Sequence, residues 1–500
     1  MSHPPSAGSA APPDQLTVAG FAAIGQSPPT MSGQIPQQPG HQPARRTAFA
    51  EGMDRMRTSA TTEPGRLRII GAVLAVLVVA FAAITAWQVA DRSSAADSVV
   101  ERSQPLSADA ASIYRSLADA DTTAAAGFLS GGQWPNEVTK RYEKDIDRAS
   151  KLLVKAAANT EGSAAAQKQL STLSHTLPRY TGLIEQARAN NRQGLPLGGA
   201  YLRYANKQMS ETLLPAAREL YETETGQLND DYDAAKSWPY LALAAGVVAL
   251  GGLGWAQRRN YRRTNRVFNQ GLLIATAATT VVLLWLVAGH AFARSGLTDS
   301  DEHGAQSLQV LNEARIDSLR ARADESLTSV SRGAVVDAKS GEDAYEKRYQ
   351  ASMVNLMGKG EKGGPASGSK LHEAFQLADN ETGEAPVDKA GEWTREWQQR
   401  HKVARSADDA GDYDLAVERT IGKKDATGED FDSKNSSGEA FDKVDAWLAK
   451  ALAHEQAEFS SAAEDGRGAF TGLQWGAVVL GLLGALGALL GIGRRLSEYR

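Results

Sequence analysis

The stretch WPYLALAAGVVALGGLGWAQRRNYRRTNRVFNQGLLIATAATTVVLLWLVAG, residues 238–289, decides the fold. Two long apolar runs flank the segment Gln257–Arg266, which holds five arginines and no acid. About 20 consecutive apolar residues cross the hydrocarbon layer as a helix. The stretch therefore predicts two membrane helices joined by a tight basic turn. The same test finds two further runs, so four spans are expected at 69–90, 239–256, 272–293 and 474–493, none containing Asp, Glu, Lys or Arg. Trp87, Trp238, Trp255 and Trp475 stand at or near span ends, where an amphipathic ring prefers the interface.

Orientation follows the arginines, which favour the cytoplasmic side. Arg45, Arg46, Arg55, Arg57, Arg66 and Arg68 precede the first span, and Arg494, Arg495 and Arg500 follow the last. Arg258, Arg259, Arg262, Arg263 and Arg266 occupy the central turn. The other flanks are acidic or mixed, with Asp91, Asp97 and Glu101, then Asp230, Asp231 and Asp233, then Asp299, Asp301 and Glu302. The expectation is a multi-pass plasma-membrane protein with both termini, the loop 257–271 and the tail 494–500 in the cytoplasm. Segments 91–238 and 294–473 then lie outside. The apolar run 69–90 is too long, and too far from the first residue, for a cleaved signal peptide. Residues 1–65 are rich in Pro, Gly, Ser, Ala and Gln, which predicts a disordered cytoplasmic tail.

The net charge of -5 gives no global attraction for nucleic acid. One tight basic loop supplies too little surface for that role, so no nucleic-acid partner is expected. The five loop arginines are first topology anchors, and secondarily a surface for anionic membrane lipid or a cytoplasmic partner. The absence of cysteine excludes disulfides and thiolate chemistry.

The two outside segments read as a duplication. A shift of 203 residues aligns Ala111, Ile113, Ala118, Ala120, Asp121 and Tyr142-Glu143-Lys144 with Ala314, Ile316, Ala321, Ala323, Asp324 and Tyr345-Glu346-Lys347. Each segment is helical by periodicity. Ile113, Leu117, Ala120, Ala124 and Phe128 form one face, and Ile316, Leu319, Ala323, Leu327 and Val330 another. Breaks at 130–136, 159–163 and 190–199 predict a four-helix bundle over 91–238. Breaks at 333–341, 358–369 and 422–438 predict a second helical bundle over 294–473, with two or three helices in 371–421. The fold class expected is thus all-α, with first and last bundle helices running straight into spans.

Candidate sites are few. The first bundle's far tip would bring together Trp134, Leu195, Pro196 and Leu197, apolar residues in loops and a candidate partner surface. Trp393, Trp397 and His401 recur one turn apart, which predicts a buried stripe rather than a ligand cage. His290 lies close to the end of span three, too near the interface to mark an ion path. Asp430 and Asp432 loosely imitate a calcium loop but lack its glycine and closing glutamate. Gly484, Gly487, Ala488 and Gly491 form a small face on span four that predicts close helix packing, without naming its partner helix. No catalytic motif, cofactor fingerprint or paired metal-ligand spacing is present in the sequence, so no enzymatic activity, metal or cofactor is expected. Homo-oligomerisation is left open.

The segments YLRYANKQMSETLLPAARELY (Tyr201–Tyr221), ARADESLTSVSRG (Ala321–Gly333) and FDKVDAWLAKALAHEQAEF (Phe441–Phe459) carry a resemblance to the GlnX-type membrane proteins of actinobacteria. It covers about residues 66–495. The resemblance implies a relay in which a GlnH-type extracytoplasmic binding protein senses aspartate or glutamate. The four-span protein would pass that state to a PknG-type Ser/Thr kinase, which controls 2-oxoglutarate dehydrogenase through a small regulator. A structural or scaffolding envelope protein, or an accessory transporter subunit, is the alternative. A transporter would need a polar path at the membrane midplane, which the spans lack.

Overall fold

The computed structural model describes residues 62–496 except 160–162, 265–268, 360–363, 379 and 425–430. The expected tail 1–65 and the tail 494–500 therefore lie largely outside the described residues, as does Asp430. The chain is an all-α membrane protein, with four helices long and apolar enough to cross a membrane.

The two entering helices are unbroken. The first runs from α1 (Glu63–Ser98) through a π turn (Val99–Ser103) into α2 (Gln104–Leu129). The second runs from α8 (Gln270–Asp299) through a π turn (Ser300–Ala305) into α9 (Gln306–Ser331). At 1.5 Å per residue, a 65-residue rod such as Gly65–Leu129 reaches about 100 Å. The first π turn precedes Pro105, and a third (Met209–Leu213) precedes Pro215. Proline has no N–H to offer the preceding turn, so the helix re-registers there instead of ending. The π turns at 99–103 and 300–305 fall at nearly equivalent positions under the 203-residue shift.

After α2 come α3 (Asn136–Asn159), α4 (Ala164–Arg192), α5 (Leu197–Gln208) and α6 (Leu214–Lys236), the last two joined by the third π turn. In the second bundle α9 is followed by α10 (Ala344–Met357). Three helices then occupy 371–421, namely α11 (Lys370–Leu377), α12 (Glu381–Asp409) and α13 (Tyr413–Ile421). A two-residue antiparallel pair, Lys423–Lys424 with Phe431–Asp432, precedes α14 (Ser437–Gly468).

The periodicity of α2 and α9 suggested one buried face each. Both helices are buried on several faces, because Ala110, Ala111, Ala118, Ala124 and Ala125 line α2, and Ser318, Ala321, Ser326 and Ser329 line α9. Short side chains let the two rods approach closely. The Thr122 hydroxyl donates to the Leu319 carbonyl across the seam at 2.8 Å. Buried side chains of both bundles accordingly form one continuous cluster, from Ile113 and Tyr180 to Trp397 and Phe441.

The returning helices correct the expectation of four straight rods. Helix α6 ends at Lys236, and the chain is extended at Ser237 before α7 (Tyr240–Thr264) starts. Pro239 keeps the helix from resuming at once, since the residue before a proline, here Trp238, avoids helical angles. Helix α14 ends at Gly468, and a turn with Gly472 at φ 78° precedes α15 (Leu473–Leu496).

Among the spans, α15 packs on α1 and α8, and α1 on α7. The partner of the small face on span four is now defined. A Cβ on Gly271, at the start of α8, would collide with the backbone of Gly487 and Gly491. Asn269 caps α8 and donates to the Gly491 carbonyl at 2.8 Å. Gly484 faces Val78 and Ala278, and Ala488 is fully buried. Val76, Leu284 and Leu490 point away from the protein, as lipid-facing residues should.

Candidate functional site

The seam between the bundles carries a polar chain. Asp121 on α2 accepts from the Tyr180 hydroxyl at 3.1 Å and from the Asn206 amide at 2.7 Å. The Asn206 carbonyl oxygen accepts from Arg348 of the second bundle at 3.4 Å, and Arg348 also donates to Asp324 at 2.8 Å. Asp121 and Asp324 are equivalent under the duplication. Burial pushes each carboxyl up to about 6, against the opposing pull of Asn206 and Tyr180 on Asp121 and of Arg348 on Asp324.

A matching clamp lies on the other side. Arg141 on α3 donates to Asp119 at 2.8 Å and reaches Asp442 of the second bundle at 3.2 Å. In both bundles, then, the second helix sends an arginine to an acid on its own entering helix and to an acceptor on the other bundle's later helices. Burial works against the Arg141 charge, but Asp119 and Asp442 hold it above the ordinary arginine value. Burial and nearby Asp119 push Asp145 up to about 8.

Two clefts open along the seam and meet at Arg320. One, of about 310 Å³, is lined by Asp121, Asn206, Asp324 and Arg348. The other, of about 510 Å³, is lined by Tyr114, Arg218, Glu313, Asp317 and Lys370. Most of these charges are committed, with Arg218 on Glu222 at 2.8 Å and Lys370 on Glu313 at 2.8 Å. Arg320 is different: it donates to the Tyr114 hydroxyl and has no carboxylate within ion-pair distance among the described residues. Asp317, one turn away, makes no hydrogen bond or ion pair among them either, and burial pushes it up to about 6. Arg320 and Asp317 face the same cleft without direct contact, and the arginine's charge opposes the upward shift of the acid. A third cleft of about 560 Å³ is more apolar, with Val138, Ile421, Phe431 and Phe441 around Arg141.

The second bundle hides a charged cluster. Glu325, 2 % exposed, accepts from Arg322 at 2.5 Å, from the Trp397 indole at 3.0 Å and from His401 at 3.0 Å. The other His401 nitrogen meets Glu346 at 3.1 Å, and Tyr349 stacks on the imidazole at 3.8 Å. Burial opposes the His401 charge, but Glu325 and Glu346 together raise it to about 9. Burial likewise opposes ionisation of Glu325, yet Arg322 and His401 hold it down at about 2. Trp397 and His401 are buried and Trp393 packs at the core edge. The expected buried stripe is present, with its polar ends neutralised.

The tip expectation needs correction at one residue. Asn191 donates to the Phe128 and Gly131 carbonyls at 3.0 and 3.2 Å, which brings the two tip loops together. Leu195, Pro196 and Leu197 are exposed there. Trp134 is not: it is 7 % exposed, edge-on to Tyr142 at 5.6 Å and beneath Arg188 at 4.4 Å. Gly127 leaves the space that this ring fills, since a Cβ there would overlap it.

Arg258, Arg259 and Arg262 lie on the last turns of α7, with Arg259 over the Trp255 ring at 5.5 Å. Arg263 belongs to the same helix, and Arg266 lies outside the described residues. The seam clefts were missed because their residues are dispersed along the chain. So was a grouping of His454, Glu455 and Glu458 on α14, where His454 and Glu458 share a helix face and Asn380 donates to Glu458 at 2.8 Å.

No curated protein and no solved structure matches the chain. Residues 95–233 match the family model described as the actinobacterial sensor domain, so the first bundle is similar to sensor domains of that kind.

Proposed function

We propose that this chain is a non-enzymatic transmembrane relay: the bundles sense amino-acid supply outside the cell, and the spans pass the state inward. The observation that carries this reading is the pair of unbroken entering helices, Gly65–Leu129 and Gln270–Ser331, which meet at the seam. A change in seam packing displaces the spans because rod and span are one helix. The sensor-domain match over 95–233 supports the sensing half. The arginine bias supports bundles outside and termini inside.

The finer reading rests on the resemblance to GlnX-type proteins. A GlnH-type binding protein loaded with aspartate or glutamate would dock on the bundles, with the exposed Leu195–Leu197 loop as its candidate contact. A PknG-type kinase would read the cytoplasmic side, where Arg258, Arg259 and Arg262 are the described arginines of the central turn. Full-length protein in lipid nanodiscs, titrated with such a binding protein with and without aspartate, tests this. Aspartate-dependent association is expected. Association that ignores the amino acid, or none, would return the chain to the scaffolding reading.

A second reading is favoured by Arg320 and Asp317. A zwitterionic amino acid has a charge of each sign to set against the arginine and the carboxyl that face this cleft, so the chain would sense it directly. Binding of aspartate to the chain alone, lost in Arg320→Gln, would select this reading over the first.

A further inference from the structure

The cleft around Arg141 differs in kind from the two that meet at Arg320. Its volume of about 560 Å³ falls within the roughly 300–1,000 Å³ of small-molecule sites, which favour domain interfaces. Helices α2 and α3 of the first bundle form one wall. Arg322 on α9, the end of α13, the short strand pair and α14 form the other.

The charged side chains in these walls are paired. Arg141 spans from Asp119 to Asp442. Arg322, 4 % exposed, is held by Glu325, the Ser437 hydroxyl and the Thr420 carbonyl. Glu137, at the exposed rim, meets Lys140 at 3.5 Å. An ion binding here would draw one of these groups from its partner, and a buried charge left alone is costly. An uncharged ligand displaces none of them.

The rest of the lining is apolar and held in shape. Ala126, Val138, Ile421 and Phe431 are half-buried. Phe441 is buried, edge-on to Trp397 at 5.3 Å. A ring packed on these two phenylalanines gains more than its buried area alone. Thr123 and Ser433 bring hydroxyls to the same walls. Gly422 fixes the strand pair that carries Phe431: its φ is 106°, and a Cβ there would overlap the Asp432 carbonyl.

We propose that this cleft binds an uncharged aromatic small molecule, its ring against Phe431 and Phe441 and its polar group on Thr123 or Ser433. Because the walls belong to different bundles, such a ligand holds the seam in one packing. The site stands on the cleft; only its effect on the spans rests on the relay reading.

A ring-fluorinated indole tests this by fluorine NMR on the full chain in nanodiscs, with protein-free nanodiscs measuring lipid uptake. Saturable binding above the lipid background, displaced by indole, is expected. Ala126→Phe fills the cleft and Phe431→Ala removes part of its wall, and each should weaken binding by about tenfold or more. Phe431 stands on the short strand pair, so its variant tests the site even where Ala126→Phe does not fold. Indoleacetate and tryptamine, which carry a charge, should bind about tenfold more weakly than indole or worse. No saturable binding beyond lipid uptake, or binding undiminished in both variants, overturns the site. Indoleacetate or tryptamine binding as well as indole overturns its preference for an uncharged ligand. If the fluorinated indole binds as expected while labels on Arg68→Cys and Gln270→Cys report an unchanged distance, the relay reading fails and the site stands.

Discussion

The two bundles are built on one plan and solve the same burial problem differently. Both place an aspartate, Asp121 or Asp324, on the entering helix at the seam. One residue further on, the first bundle has Thr122, whose hydroxyl closes onto the Ala118 and Leu319 carbonyls at 2.8 Å. The second has Glu325, which gathers Arg322, Trp397 and His401 into a buried charged cluster. A threonine that bonds to backbone can be replaced at small cost. A buried carboxylate between two cations cannot. The second bundle is therefore expected to be the rigid partner, and the first, which carries the sensor-domain match, the adaptable one.

The largest expected effect breaks this contrast at its centre. Glu325→Gln leaves Arg322 buried without its counter-charge and His401 with Glu346 alone, and should cost about 3–5 kcal/mol in thermal unfolding of the purified chain. Thr122→Ala should cost about 1 kcal/mol. Equal losses would remove the distinction. Next, Trp134→Ala empties a site filled against Gly127 and Tyr142 and should cost about 3 kcal/mol, measured in the same way.

The pH dependence separates the seam aspartates, one from each bundle, from the buried Glu325 of the second bundle. Asp121 and Asp324 are raised to about 6 in the folded state, so folding favours their protonated forms. Their contribution is full below the unfolded carboxylate value of about 4 and is lost as pH rises to about 6. The second bundle's cluster behaves oppositely on the acid side. Glu325, held at about 2, contributes above its unfolded value and is lost only as pH falls through 2. His401, raised to about 9, contributes fully below its unfolded value and is lost as pH rises through 9. Unfolding measured from pH 4 to 7 should show a declining component that Asp121→Asn flattens and that a His401 substitution leaves in place. The smallest effect belongs to the tip. Leu195→Ser with Leu197→Ser should leave stability within about 0.5 kcal/mol while weakening capture of an aspartate-loaded binding protein.

The spans were legible because an apolar run of 20 residues is a local signal. The small face of span four was legible too, but its partner, Gly271 beside Asn269, lies some 220 residues away. Alanine and serine hid the second buried faces of α2 and α9, since periodicity counts large apolar side chains. Trp134 sat in a Gly- and Pro-bearing loop and looked exposed; only the fold reveals the slot beside Gly127. The Glu325–His401–Glu346 cluster joins residues 76 and 55 positions apart, of which the sequence offered only the Trp397–His401 turn. The break before α7 was written in the sequence as Trp238-Pro239, yet a continuous rod was expected because the apolar run begins there.

The central claim is that seam packing is transmitted to the far ends of the spans. Labels on Arg68→Cys and Gln270→Cys, exposed at the starts of the two entering helices, read it directly in the full chain in nanodiscs. Releasing the seam with Arg141→Ala and Arg348→Ala should displace this distance by an ångström or two. Superimposable distributions, in a protein whose bundle labels show that the seam has moved, would contradict the account.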